Sequence, residues 1–392
     1  MFGSDADIGL DPHFIRHLDT DRLITVNVDN ICYELEDRIY TLESLLGRGT
    51  NVWIVTRDDK SFVLKDSWVL EDLVESENTH LQAMVGHDKI KSLVPTFVGG
   101  GDVKINEITD STTSYHGSGL IRRPHNQWVH RRIVTGPVRI PLTVFRSKKE
   151  FVNVLIGVVS AHKYLCETLK ILHCDISISN ILLYCPDETK EATGLLVDFD
   201  LARTIKDVDG SVLGDIDNQP TNAKSNLNSV WTGTPPFVAI EALLDHLNFT
   251  PQPCHDLESI LYVIFYFCTY FIKGPGLLRK SDNFPKVKSI PLEQWFQQRS
   301  LTQIAQDKCG LIMTAEISLL AKFTPYWADF VPFVRQLIST CFSKLLLPTN
   351  MLTHNKVLEI LQDAYNTIKE PQPSYGDQES RPVYGTGSRE VK

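Results

Sequence analysis

Asp175 and Asn180 stand five positions apart in the stretch ILHCDISISNILLY, with apolar runs on both sides. A carboxylate in such a turn can accept a proton from a substrate hydroxyl, and an amide five residues on can hold a metal ion beside it. Asp198 ends another apolar run, in GLLVDFDLA, and would add a second hard oxygen to a Mg2+ ion whose other ligands are nucleotide phosphates. Upstream, Gly47 and Gly49 in LLGRGTNVW lack the Cβ atoms that would keep backbone amides away from a phosphate. Lys65, at the end of the next apolar run in FVLK, could reach back to the phosphates of ATP, and Val52 or Ile54 would roof the adenine. Such a lysine needs an anion to orient it. Among Glu71, Glu75 and Glu77, Glu77 is the choice because Leu81 lies one helical turn on, whereas Glu75 has Thr79 there and is held in reserve. Each of these residues alone could serve only a turn, a strand end or a solvated helix face; their order along the chain is what gives them meaning.

The elements that must position these groups follow from pattern. Residues 1–20 read as a loose leader. β-Branched and aromatic runs from Leu23 to Tyr40 open a sheet, and two further runs flank a turn at Arg57–Lys60. Leu70 to Met84 reads as a helix, VPTFVGG and QWVHRRIV as strands, and Gly99 to Asn126 as a surface insertion. Residues near Val134 to Val138, with Gly136-Pro137, would be a hinge between a strand-rich half and a helical half. Ser147 to Glu150 is a capping box, and the helix after it puts Phe151, Leu155, Val158, Leu165 and Leu169 on one face. That helix is expected to end at Leu172 and to deliver the chain to an exposed turn carrying His173, Asp175, Ser177 and Asn180. A strand follows Asn180, and residues 201–232 suit a long mobile loop. The nearly all-apolar segment Ser259 to Ile272 reads as a buried helix; Asp256 before it would tie up backbone donors, of its own first turn or of the turn above. The remainder is helical up to a Pro-, Gly- and charge-rich tail over 371–392 that is expected to be disordered. The resulting divisions are 1–20, 21–134 with an insertion near 99–126, 135–370 and 371–392.

The chain of 392 residues can bury a large core, and its 42% hydrophobic and 22% charged content is that of a globular protein. A formal net charge of -9 without a basic stripe argues against nucleic acid as a partner. Eight cysteines without C-x-x-C pairs or a zinc spacing read as reduced thiols in a cytoplasmic or nuclear setting. The acidic start has no apolar core, and the longest apolar run is too short to span a bilayer, so neither a signal peptide nor a membrane is expected.

In this order, GRGT with VLKDSW, HCDISISN, LLVDFDLA, GTPPFVAIE and HDLESILYV resemble the fungal-type protein kinases. GPG at Gly274–Gly276, LEQWF and Lys308 add to a resemblance running from about Asp19 to Tyr365. It implies an α+β, bilobal protein kinase-like fold with a small β-rich N-lobe and a larger, mostly helical C-lobe. It implies ATP and Mg2+ as cofactors and transfer of the γ-phosphate to Ser or Thr hydroxyls of protein substrates. Residue by residue, Asp175 would be the base, with Lys65 and Asn180 as its catalytic partners. Gly47, Gly49, Val52, Lys65 and Glu77 would bind nucleotide, Asn180 and Asp198 would hold Mg2+, and Glu241 would anchor the activation segment. Several residues depart from the kinase pattern: Cys174 replaces arginine, Ser177 lysine, Asp200 glycine and Ile240 proline. Without that arginine, phosphorylation at Ser211, Thr221, Ser225 or Ser229 is not expected to switch the enzyme on, unless another basic residue such as Arg203 takes its place. Thr234 is expected to hydrogen-bond near Asp175. Two other readings share part of the pattern: a pseudokinase scaffold, and a small-molecule phosphotransferase of the aminoglycoside or choline kinase type. GTPPFVAIE followed by HDLES separates the protein kinase from the latter.

Overall fold

Alternating apolar and polar residues broken by two-residue polar turns build antiparallel hairpins, and three such turns recur in the first half of the chain. Asp29-Asn30, Asp58-Asp59 and Asn106-Glu107 each have both φ angles positive, between 52° and 64°. That is the geometry of the tight turn whose twist matches the flanking strands, and after glycine Asn and Asp tolerate it best. The computed structural model describes residues 10–17, 19–20, 22–41, 48–71, 75–115, 127–185, 191–205, 233–245, 249–274, 277–278, 292–297, 299–342 and 352–370. Their contacts divide the described residues into two compact units, one ending at His87 and resuming over Pro95–Arg139, the other formed by Asp88–Val94 and the described chain from Ile140 to residue 370. The fold is α+β.

The first unit is an antiparallel seven-stranded sheet. In spatial order its strands are Phe14–Arg16, Leu23–Val28, Ile31–Thr41, Asn51–Arg57, Lys60–Leu70, Trp128–Gly136 and Thr96–Asp102. Val26, Val28, Tyr33, Leu35, Val55, Leu64 and Val134 form its core on one face. A buried polar chain fixes the sheet elsewhere. His130 sits between Asp66 at 3.0 Å and Asp110 at 2.8 Å, and Arg132 bridges Asp66 and Asp11. Burial opposes charge on His130, but the hydrogen bond to Asp66 and its charge raise the imidazole above its usual pKa. The Asp11 contact and the Phe14–Arg16 strand make residues 11–16 part of the sheet, so the leader is not loose there. The helix expected over Leu70–Met84 is also shorter. Trp68, Val69 and Leu70 continue the pairing with His130, Val129 and Trp128, and the helix starts only at Glu77, where Ser76 caps it by accepting from Thr79 N–H. Lys65 thus lies within a strand that runs on to Leu70. In the expected insertion, Gly99–Asp102 belong to the strand Thr96–Asp102 and a small hairpin pairs Lys104–Ile105 with Ile108–Thr109, while residues 116–126 lie outside the described ones.

The second unit is built around the helix Pro253–Tyr270, in which 15 side chains from Cys254 to Thr269 are buried. Its Phe267 joins an aromatic cluster with Phe145, Phe151, Phe271 and Trp327, in which contacting ring centroids are 4.6–5.7 Å apart and Trp327 Nε1 donates to the Phe271 carbonyl. Burial of each such ring contributes on the order of 1.5–3 kcal/mol. The helix Lys148–Tyr164 starts at Ser147, whose Oγ accepts from Glu150 N–H; the Glu150 carboxylate reaches Arg146 N–H rather than closing the expected box on Ser147. This helix lies on the strand Thr193–Leu196 so closely that a Cβ on Gly194 would fall 2.1 Å from the Val154 carbonyl oxygen. Beyond Tyr164 it widens into a π turn, Leu165–Leu169, and ends at Lys170 with φ 57°. Ile171–Leu172 is therefore a short strand, paired with Arg203–Thr204, and not the helix end its apolar character implied. Helices Leu301–Met313, Val331–Cys341 and His354–Thr367 complete the unit, and among the described residues no helix is long and apolar enough to cross a membrane.

Candidate active site

The expected catalytic turn lies between the strands Ile171–Leu172 and Ile181–Tyr184, and it is not the exposed turn its polar residues implied. His173, Ser177 and Asn180 are buried, and Asp175 is half-buried. The turn is held from below by Asp256, whose carboxylate accepts from His173 N–H at 2.9 Å and Cys174 N–H at 3.0 Å. Of the two places open to this aspartate, it takes the turn above. Cys174 adopts φ 62° there, a left-handed conformation that a side chain rarely occupies without such backbone anchoring. Burial pushes the His173 imidazole below its ordinary pKa. The neutral ring donates Nε2–H to the Val197 carbonyl and accepts Asp175 N–H at Nδ1.

These anchors fix the Asp175 carboxylate. Its Oδ1 accepts both Thr234 N–H and Thr234 Oγ1–H, each at 2.9 Å. Asn180 Nδ2 donates to the Asp175 carbonyl at 2.8 Å and lies 3.3 Å from Asp175 Oδ2. With its amide nitrogen committed in this way, Asn180 keeps Oδ1 as its acceptor. Val197 N–H donates to the Asn180 carbonyl, which ties the backbone just before Asp198 to that of Asn180. Asp198 itself has φ 69°, a second left-handed residue on the same small frame. Thus the structure gathers Asp175, Asn180 and Thr234 by direct hydrogen bonds and links Asp198 to them through the backbone.

In the sheet unit, Lys65 Nζ lies 2.9 Å from Glu77 Oε2, and Glu77 and Leu81 are both buried on the helix face that carries them. Glu75 instead approaches His80 at 3.6 Å. Val52 sits directly across the strand pair from Lys65 and is half-buried, while Ile54 is fully buried. Gly49 has φ +50°, and Asn51 Nδ2 donates to its carbonyl. Gly47 lies outside the described residues, as do Ser211, Thr221, Ser225 and Ser229.

The segment after Thr234 is held by the expected Glu241, through His255 on the buried helix, and by deeper groups besides. Glu241 is about half exposed, with its carboxylate 2.9 Å from His255 Nε2. The deep anchor is Glu258, on the buried helix: its Oε1 accepts Ile240 N–H at 2.8 Å and Tyr262 O–H at 2.5 Å. Lys308, fully buried over the Tyr262 ring at 3.9 Å, donates to the Val238 carbonyl and lies 3.4 Å from that of Pro235. Burial pushes the Glu258 carboxyl up to about 7 and the Lys308 ammonium well below its usual range. Glu258 escaped the sequence reading, although its place two residues after Asp256 in HDLES, entering an apolar helix, was the available signal. Cys174 is buried among Leu172, Cys166, Leu201 and Ile205, and burial raises its thiol far above the usual range, so it is an apolar packing residue.

The family model described as fungal protein kinase matches residues 1–128 and 118–268. No curated protein matches the chain. The family match covers most of the chain and every site residue described above except Lys308, and the chain belongs to the fungal protein kinase family.

Proposed function

We propose that this chain is an ATP-dependent protein kinase that transfers the γ-phosphate of ATP to serine or threonine hydroxyls, with its two units as the small and large lobes of a kinase fold. The observation that carries the reading is the Asp175 carboxylate, oriented through Oδ1 by two donors from Thr234 and braced by Asn180. A carboxylate so positioned is suited to take the proton of an attacking hydroxyl. The donor set fits Mg2+: the Asn180 amide oxygen and the Asp198 carboxylate are hard oxygens, and they would hold the ion, which when bound neutralises charge on the phosphates. Lys65, oriented by Glu77, is the group for the phosphates, and Gly49, together with Gly47 outside the described residues, is assigned to backbone contacts with them. Val52, across from Lys65, is the apolar residue assigned to the adenine.

A protein rather than a small molecule is the favoured acceptor because the chain invests two buried groups, Glu258 and Lys308, in fixing the segment 235–240 next to Thr234. The test is incubation of the full chain with labelled ATP, Mg2+ and generic protein substrates, followed by analysis of the modified amino acids. Label on serine or threonine is expected. Nucleotide binding without transfer would point to a pseudokinase, and label confined to small hydroxyl or amine acceptors would overturn the protein-substrate assignment.

A further inference from the structure

Beside the segment 235–240 stands a group of aromatic rings of which one faces out. In the 3₁₀ turn Glu293–Phe296, Trp295 is buried, as is Leu292 just before the turn, and the Trp295 ring meets that of Tyr262 nearly at right angles at 5.3 Å. That contact fixes the turn and leaves the next residue, Phe296, 46% exposed. Side chains three apart in a 3₁₀ turn lie one above the other, so the exposed Glu293 shares the face of Phe296. The Phe296 ring centroid lies 5.6 Å from that of Tyr266 and 6.5 Å from that of Tyr270. These two tyrosines are half-buried and one helical turn apart on the helix Pro253–Tyr270. The Glu293 charge reaches them: after burial and Tyr266, it helps to raise the pKa of the Tyr270 hydroxyl. Rings with a carboxylate beside them thus form a shelf open to solvent.

The shelf adjoins the group that orients Asp175. Phe296 also meets the Phe237 ring at 6.0 Å, and Phe237 N–H donates to the carbonyl of Thr234, three residues earlier. Thr234 in turn donates twice to Asp175 Oδ1. A 3₁₀ turn rises about 2 Å per residue and an extended peptide about 3.3 Å, so the shelf lies roughly three to five peptide residues from a hydroxyl placed at Asp175.

We propose that Phe296, Tyr270 and Glu293 form a docking subsite for an arginine side chain of the protein substrate, roughly three to five residues from the hydroxyl that receives phosphate. The inference rests on the protein kinase reading above and names its substrate class. A guanidinium suits both features of the shelf, because its plane stacks on an aromatic face while its N–H donors pair with a carboxylate. An apolar side chain on the same rings would strip water from Glu293 and give it no partner. A lysine would meet Glu293 as a point charge without the planar stacking, and an acidic side chain would be repelled. Arg299, three residues beyond Phe296, is paired with Asp307 at 2.7 Å, and the buried Lys308 donates to the Val238 carbonyl, so neither is committed to Glu293.

The test uses the full chain and fluorescent, serine-centred peptide libraries, each with arginine or alanine fixed at one position within about five residues of the serine. Fluorescence anisotropy should show tighter binding with arginine than with alanine at one position, and transfer from Mg-ATP should show the same preference as a lower KM with kcat unchanged. Phe296→Ala and Glu293→Gln should each reduce that preference roughly 3- to 30-fold and leave the KM for ATP as it was. Both residues are exposed, and Phe296→Ala removes no charge, so its effect separates the shelf from a general attraction of cations to a chain of net charge -9. Arginine-selective binding that the variants lose, without any transfer, supports the subsite and refutes only the kinase reading. No arginine preference in binding, with or without transfer, overturns the subsite, and so does a preference that both variants keep.

Discussion

At the scale of single residues, Thr234 is the most informative contact because it gives the Asp175 carboxylate two donors from one residue. Thr234→Ala keeps the N–H and removes the hydroxyl. A hydrogen bond to a charged group contributes about 1.5–3 kcal/mol, and its loss should slow turnover roughly 10- to 100-fold. Thr234→Ser should restore most of the rate, and steady-state assays of the two variants check both outcomes. Some residue choices were legible in the chain because a neighbour disclosed the face: Leu81 marked Glu77, and the structure pairs that acid with Lys65. Others were not. The polar letters of HCDISISN read as an exposed turn, yet His173 and Asn180 are buried because Asp256 and Val197 satisfy the backbone and ring atoms that water would otherwise take. The loss of arginine at Cys174 was visible, and the buried apolar setting of that thiol explains why no charge-assisted pair with a phosphate can form there.

At the scale of elements, the segment 235–240 owes its place to the helix Pro253–Tyr270 through Glu258, and to the helix Leu301–Met313 through Lys308. The sequence showed only the Glu241 part of this task, since an acid ending GTPPFVAIE is easier to see than one within an apolar helix. Only the packing decides that Glu258 points inward. Burial places the Glu258 pKa near 7, above its ordinary 4.5, so the folded state favours the protonated acid. Its contribution to stability is therefore present below about pH 4.5 and is lost as pH rises through about 7. Glu258→Gln can still accept from Ile240 N–H and Tyr262 O–H but does not ionise. Relative to this variant, the wild type should lose stability across that window, a trend that urea unfolding at several pH values would reveal. Parallel curves for the two proteins would show that Glu258 titrates normally. The Lys148–Tyr164 helix was legible from its apolar face. The π turn that ends it was not, because the choice between helix and strand at Ile171–Leu172 rests on a partner strand some 30 residues away.

At the scale of the molecule, the order of motifs made the α+β class and the kinase family legible, since strands with two-residue turns and long apolar helices carry distinct periods. The divisions between elements were less so: the strand Lys60–Leu70 outruns its apolar core, and the strand Phe14–Arg16 is held by an ion pair from Asp11 to the distant Arg132. The central claim is that Asp175 acts in the chemical step and not in holding nucleotide. The most direct measurement compares wild type and Asp175→Asn in two assays run on the same preparations, the thermal shift produced by Mg-ATP and the transfer of labelled phosphate to a protein substrate. Asparagine keeps the shape and removes the base, so the thermal shift should persist while transfer falls roughly 10²- to 10⁴-fold. Transfer by Asp175→Asn at close to the wild-type rate would contradict the assignment.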